Sequence, residues 1–159
     1  MGSMAQVEVV DTGSPWIISR SIDVAAPADR IFELLADPRR HCDFDGSGSV
    51  KGAVSGPQRL SLGAKFGMNM RLGVPYRVSS QVKEFEEGRR IAWAHFGGHR
   101  WRYELEPLDE TTTRVTETFD ATTARSARAL KLMDAYNRNT RAIEETLPRL
   151  AALAEGEGQ

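Results

Sequence analysis

Hydrophobic and polar side chains alternate over most of this chain, and the alternation predicts strands. Trp16, Ile18, Ile22 and Val24 share one parity, which gives a first strand a single buried face. Ala25-Ala26-Pro27 ends it, and Pro27 suits the first turn of a helix carrying Ile31, Phe32, Leu34 and Leu35. Asp37-Pro38 stops or bends that helix, and residues 43–49 read as loop. After Val50 the two-residue period returns. Phe66, Met68, Met70 and Leu72 alternate with Lys65, Gly67, Asn69 and Arg71; Gly73-Val74-Pro75 reads as a turn; Tyr76, Val78, Ser80 and Val82 then share a face.

Glu86-Glu87-Gly88 leads into Ile91-Ala92-Trp93-Ala94-His95-Phe96, and Gly97-Gly98 is a second hairpin signal. Trp101, Tyr103 and Leu105 oppose Arg102, Glu104 and Glu106, and a turn over residues 107–111 precedes Val115, Glu117 and Phe119. Connections this short favour antiparallel pairing of successive strands. From Ser126 the period becomes helical, with Met133, Tyr136, Thr140, Ile143, Leu147, Leu150 and Ala154 spaced by threes and fours. About 28 residues at 1.5 Å each give a helix of about 42 Å, long enough to cross the sheet, with a kink or break expected at Pro148.

The predicted fold class is therefore α+β: a curved antiparallel sheet wrapped around a long C-terminal helix, their apolar faces covering each other. Tyr136 and Thr140 leave hydroxyls on the helix's inward stripe, which agrees with an internal cavity and also with a solid core crossed by a few hydrogen bonds. Residues 15–154 form one domain. Residues 1–14 are expected to be a flexible N-terminus, with Met1-Gly2-Ser3-Met4 resembling an expression scar, and residues 155–159 a disordered tail.

Composition narrows the partners. Twenty-one basic against 22 acidic side chains leave a net charge of −1 in 159 residues, which offers no electrostatic grip on nucleic acid or anionic lipid. Cys42 is the sole cysteine, so no intrachain disulfide forms and a reducing compartment fits. With no apolar run of membrane-spanning length and no signal-like start, the expectation is a cytoplasmic protein without stable membrane insertion.

The order strand, proline-started helix, loop, meander and terminal helix resembles the START-like, or SRPBCC, superfamily. The resemblance is carried by Ile22-Asp23-Val24-Ala25-Ala26-Pro27-Ala28 with Ile31-Phe32, by Ala36-Asp37-Pro38, and by Trp101-Arg102-Tyr103-Glu104-Leu105-Glu106-Pro107. Thr113-Arg114-Val115-Thr116-Glu117 and Thr146-Leu147-Pro148-Arg149-Leu150 complete it, so that it spans residues 16–154. It is most similar to the polyketide cyclase/dehydrase-like branch. The resemblance implies a helix-grip fold with a pocket for apolar or aromatic small molecules. It implies no single activity, because the superfamily mixes cyclases, lipid carriers, hormone receptors and chaperone activators.

The expected pocket wall is Phe66, Met68, Met70, Trp93, His95, Trp101 and Tyr103, facing Tyr136, Asn137 and Thr140. Ordinary core packing is the competing reading of each. His95, on the parity of Ile91 and Trp93, is the candidate acid–base group, with Tyr103 beside it as a second catalytic candidate. Glu117 lies on a buried parity, where desolvation would raise its pKa; the preferred reading is instead a structural ion pair with Arg20 on the neighbouring first strand. His41-Cys42-Asp43-Phe44-Asp45-Gly46 matches no zinc or EF-hand spacing, so neither metal nor other cofactor is expected, and residues 41–49 could form a lid. Cys42 lacks evidence of a base, and the glycine spacings match no nucleotide-binding motif.

The leading functional expectation is binding or carriage of a small hydrophobic or aromatic metabolite. A polyketide cyclase or dehydratase comes second, since holding a reactive chain in a productive shape supplies much of such catalysis. A chaperone-activator-like interaction module comes third.

Overall fold

The computed structural model describes residues 6–47 and 50–156. Strand β1 (Glu8–Val10) precedes β2 (Ile17–Val24), and the chain then turns through helix α1 (Ala28–Ala36), a 3-10 turn (Pro38–Arg40) and the short α2 (His41–Phe44). It enters the far edge of the sheet as β3 (Val50–Ser55). From there it meanders back through β4 (Lys65–Leu72), β5 (Val74–Glu86), β6 (Arg90–His95), β7 (Arg100–Pro107) and β8 (Thr113–Asp120). Helices α3 (Ala127–Leu132) and α4 (Ala135–Gly156) follow.

The eight strands form one antiparallel sheet in the order β1-β2-β8-β7-β6-β5-β4-β3. The β2–β8 pairing brings the first long strand against the last, with Ile22 opposite Val115 and Arg20 opposite Glu117. A register shift between β5 and β6 leaves Lys83 as an extra residue, so Val82 and Phe85 both reach the α4-covered face although their positions differ in parity. Bulges of this kind bend a sheet, and here the bend wraps β5 and β6 around the helical layer. On the outer face Glu84 is clamped by Arg100 and Arg102 at 2.9 and 2.8 Å, and Arg102 also reaches Asp120 at 3.1 Å.

Several local expectations are corrected. Glu8–Val10 is not frayed, because its backbone adds an edge strand to β2; residues 1–5 lie outside the described residues. At the other end α4 runs to Gly156, and the Glu155 carboxylate accepts a hydrogen bond from the Ala25 amide at 2.9 Å, so Glu155 and Gly156 do not belong to a disordered tail; residues 157–159 lie outside the described residues. Pro27 sits one position earlier than expected, as the N-cap of α1 with φ −70°. The turn at 73–75 narrows to Gly73, whose φ of +76° suits glycine, and Val74 and Pro75 already belong to β5.

The terminal helix does break, but not at Pro148, which lies inside α4. The break falls at Asp134, in the left-handed region at φ +58°, a conformation a short polar side chain tolerates. Asp134 then starts α4: its carbonyl accepts from the Arg138 amide, and its carboxylate from the Asn137 amide group at 2.9 Å. Ser126 caps α3 by accepting from the Ala129 amide.

The lower half of α4 closes the core. Ile143, Leu147 and Leu150 are fully buried with Ile31, Phe32 and Leu35 of α1 and with Val24, Ile91 and Val115 of the sheet. Beside this packing, the segment after α2 lies directly on α4: the Gly46 amide donates to Thr146 Oγ1 at 2.7 Å, and Arg149 donates to the Asp45 carbonyl at 2.9 Å. Asp45 to Ser47 is thus tethered, which corrects the picture of a flexible lid over those residues; Gly48 and Ser49 lie outside the described residues.

Two substitutions test this packing. A Cβ on Gly46 would meet the Thr146 amide nitrogen at 2.6 Å and the Ala142 carbonyl at 2.8 Å. Gly46→Ala is expected to lower unfolding free energy by about 1–3 kcal/mol, as overpacking against backbone does, and Ile143→Ala by about 2–5 kcal/mol through the cavity it leaves. Urea midpoints at constant slope check both.

Candidate functional site

Above the packed end, sheet and helices part around a cavity of about 550 Å³. The sheet contributes Phe66, Met68 and Met70 from β4, Tyr76, Val78 and Ser80 from β5, Trp93 and His95 from β6, Trp101 and Tyr103 from β7, and Glu117 from β8. Antiparallel register makes this wall, since Phe66 lies opposite Ser80, Met68 opposite Val78, and Trp93 opposite Trp101. All seven sheet residues expected at the pocket wall line the cavity.

The helical wall differs from expectation. From α4 Ala135, Asn139, Ala142 and Thr146 line the cavity together with Arg138, Arg141 and Glu145, and none of the three residues named for it does. Tyr136 packs instead against Trp16 and Phe119, with ring centroids at 6.0 and 5.6 Å, and donates to the Ala127 carbonyl. Asn137 is exposed and bonded to Asp134, and the Thr140 hydroxyl donates to the Tyr136 carbonyl. The expected set of Tyr136, Asn137 and Thr140 is therefore corrected. Periodicity marks the bulkiest stripe, whereas the cavity survives beside the small one. The spacing of Ala135, Asn139, Ala142 and Thr146 by fours and threes was the available signal. The break at Asp134 turns α3 so that Leu130 and Met133 complete the wall at this end.

All three histidines line the cavity. His41 is buried, stacked on Trp93 at 4.7 Å with an interplanar angle of 18°, and its Nε2 is 2.9 Å from the Leu35 carbonyl, to which it donates. Burial lowers its pKa to about 4, against the opposing pull of that carbonyl and of Asp37 and Asp45. His99 is likewise lowered to about 4, by burial and then by neighbouring His95, whose ring centroid is 4.9 Å away. Burial also lowers His95. Neutral imidazoles therefore stand in the cavity at neutral pH. His99 was not anticipated, although it shares the parity of Trp101 and Tyr103 just past the Gly97-Gly98 turn.

The expected Arg20–Glu117 ion pair does not form, although the two residues are opposed across β2 and β8. Arg20 extends towards α4, with Nε 3.5 Å from Glu144 and Nη1 donating to the Ser19 carbonyl. Glu117 is 3% exposed and receives the Tyr103 hydroxyl on Oε2 at 2.9 Å, while among the described residues buried Oε1 has no hydrogen-bond partner. Burial raises the Glu117 pKa to about 8; the Tyr103 hydrogen bond pulls it down, and the charge of Asp45 pushes it up further. Tyr103 is raised well above its ordinary value by burial and by Glu117, so it remains a phenol and a donor. The pair is a hydrogen-bonded acid and phenol on the cavity wall.

Cys42 is exposed, and its thiol is pushed up by desolvation and by Asp43, away from thiolate chemistry. Among the described residues no three His, Cys, Asp or Glu side chains group closely enough to hold a metal ion, and no helix is long and apolar enough to cross a membrane.

A curved antiparallel sheet gripping a terminal helix around an aromatic-lined cavity defines the helix-grip class of proteins. The chain belongs to the family described as polyketide cyclase / dehydrase and lipid transport, whose model matches residues 15–155. The Mycobacterium tuberculosis (strain H37Rv) protein Rv0088 is 45% identical over 155 residues, covering 94% of this chain and 69% of its own length. Among solved structures, a protein from Arthrobacter aurescens superposes with a TM-score of 0.73 at 18% identity, over 94% of this chain and 91% of its own. The Zhui aromatase/cyclase from Streptomyces sp. R1128 does so with a TM-score of 0.65 at 17% identity, over 90% of this chain and 95% of its own. At such identities the likeness is one of fold.

The titrations predict a two-sided pH profile. Between its ordinary value of 4.5 and about 8, Glu117 keeps a proton in the folded state that the unfolded chain releases, so its contribution falls as pH rises through that window. The slope is about 1.4 kcal/mol per pH unit. His41 and His99, at about 4 against 6.5, act in the opposite sense and lose stability as pH falls below 6.5. Glu117→Gln should therefore abolish the decline between about pH 6.5 and about pH 8 while keeping the acid limb, as read from denaturant midpoints across pH.

Proposed function

We propose that this protein binds a small, largely apolar or aromatic molecule in the cavity between the sheet and α4. The observation that carries this reading is the sheet side of the cavity: aromatic and thioether side chains bound about 550 Å³, while the charged side chains Asp45, Arg138, Arg141 and Glu145 come from α4 and the segment after α2. That volume is in the range of drug-sized ligand sites, and such a lining favours flat apolar bodies bearing a few oxygens. Met68 and Met70 add an adaptable surface on one side. Carriage needs nothing more than reversible occupancy.

A second reading, cyclisation or dehydration of a polyketide-like substrate, is favoured by the chemistry of the same wall. Neutral His95 can accept a proton, and a buried acid–phenol pair can polarise a carbonyl oxygen in the low-dielectric interior. Tyr103 already spends its hydroxyl proton on Glu117, which makes it a positioning residue for the acid unless substrate displaces that bond.

Native mass spectrometry of protein purified mildly from its host should reveal an excess mass released on denaturation. Met68→Trp, which adds bulk where Met68 lines the cavity, should abolish retention while leaving the fold intact by circular dichroism. Retention unchanged in that variant would place the ligand elsewhere and sink the reading. For the enzymatic alternative, His95→Ala and Tyr103→Phe should each lower turnover of an identified substrate by about 10²–10⁴-fold; unaltered turnover in both removes their proposed roles.

A further inference from the structure

Among the described residues the cavity lining holds two buried side-chain atoms without a hydrogen-bond partner, His99 Nδ1 and Glu117 Oε1, and the second belongs to an acid. Glu117 Oε1 is buried without a hydrogen-bond partner, while Oε2 receives the Tyr103 hydroxyl. Glu117 belongs to the cavity lining. A buried polar atom left unmatched is costly, so a folded chain keeps one only when strain, water or a ligand accounts for it.

The surroundings decide which ligand atom fits. Tyr103 on β7 cannot give Glu117 a second hydrogen bond, because it has one hydroxyl proton. Arg20, opposite on β2, is turned to Glu144 and the Ser19 carbonyl. His41 on α2 gives its Nε2 proton to the Leu35 carbonyl. The anion whose field reaches Glu117 is Asp45, itself held by the Val50 amide and the Ser47 hydroxyl. On α4 the cavity wall presents neutral Ala142 and Thr146, flanked by Arg141 and Glu145 of opposite sign. A like charge nearby and, among the described residues, no cation paired with the carboxyl group favour the neutral acid. With Oε2 occupied as an acceptor, the acidic hydrogen belongs on Oε1.

Resting on the cavity reading above, we propose that Glu117, held by Tyr103, is the ligand's polar anchor: its Oε1–H donates to a ketone or hydroxyl oxygen on a flat apolar body. The cavity then selects keto- and hydroxy-arenes over hydrocarbons of the same shape, because the hydrocarbon leaves the acid unmatched. It also disfavours carboxylates, which would bring a second anion beside Asp45 into a dry site. The aromatic wall supplies the general affinity and Glu117 supplies the discrimination.

Isothermal titration calorimetry with three probes tests this: 2-acetylnaphthalene, its near-isostere 2-isopropenylnaphthalene, and 2-naphthoate. At about pH 6.5 wild-type protein should bind the ketone at least about tenfold more tightly than the alkene, and the carboxylate more weakly than the ketone. Glu117→Gln, which keeps an N–H donor, should retain the ketone preference; Glu117→Leu should abolish it. Raising the pH to about 9 should erase the preference in wild type and spare it in Glu117→Gln. Equal ketone and alkene affinities in wild type overturn the proposal, as does a preference that survives in Glu117→Leu. Should the leucine variant not fold, the pH comparison between wild type and Glu117→Gln decides by itself. Alkene and ketone binding equally would leave the cavity reading standing, whereas wild type binding none of the three overturns the anchor and counts against the cavity reading as well.

Discussion

Everything in this molecule depends on how α4 meets the inner face of the sheet. Along the helix two neighbouring stripes do different work. Ile143, Leu147 and Leu150 are bulky and drive into the core against α1 and the sheet, removing apolar surface from water. Ala135, Asn139, Ala142 and Thr146 are small and stand off from the wall opposite. The first stripe fixes the separation of the layers, and the second is too short to fill what remains. A cavity is the geometric consequence.

Holding such a space open requires its rim to be rigid. The Gly46 amide on Thr146, the Arg149 guanidinium on the Asp45 carbonyl and the left-handed turn at Asp134 do this from three directions. The outer-face cluster of Glu84, Arg100, Arg102 and Asp120 ties β5, β7 and β8 together without entering the interior. Several titratable groups of the cavity wall are neutral, namely imidazoles depressed by burial, a phenol, and an acid whose pKa is raised to about 8, while Asp45, Arg138, Arg141 and Glu145 bring charge to the same cavity.

Membership of the polyketide cyclase / dehydrase and lipid transport family agrees with this physical description at the level of fold and cavity. Relatives within one fold family can carry or transform their ligands, and the difference resides in a few side chains on a common wall. On this wall His95, His99, Tyr103 and Glu117 sit together, on three adjacent strands or the turn joining two of them.

The strand meander, its antiparallel order and the seven sheet residues of the cavity wall could be read from the chain, because a strand's two-residue period assigns each side chain to a face without further information. From Ile143 onwards the terminal helix and its core stripe were equally legible. What escaped was decided by contacts between distant segments. Left-handed Asp134 ended one helix and began another where the periodicity ran on, and the helical wall of the cavity lay beside the apolar stripe instead of on it. Arg20 and Glu117 were correctly placed opposite each other, yet whether two opposed charges pair depends on the third partner each can reach, and Glu144 and Tyr103 reached them first. Local pattern assigns faces and elements by itself; the partners of a buried polar group, and the volume left between two layers, are properties of the assembled interior.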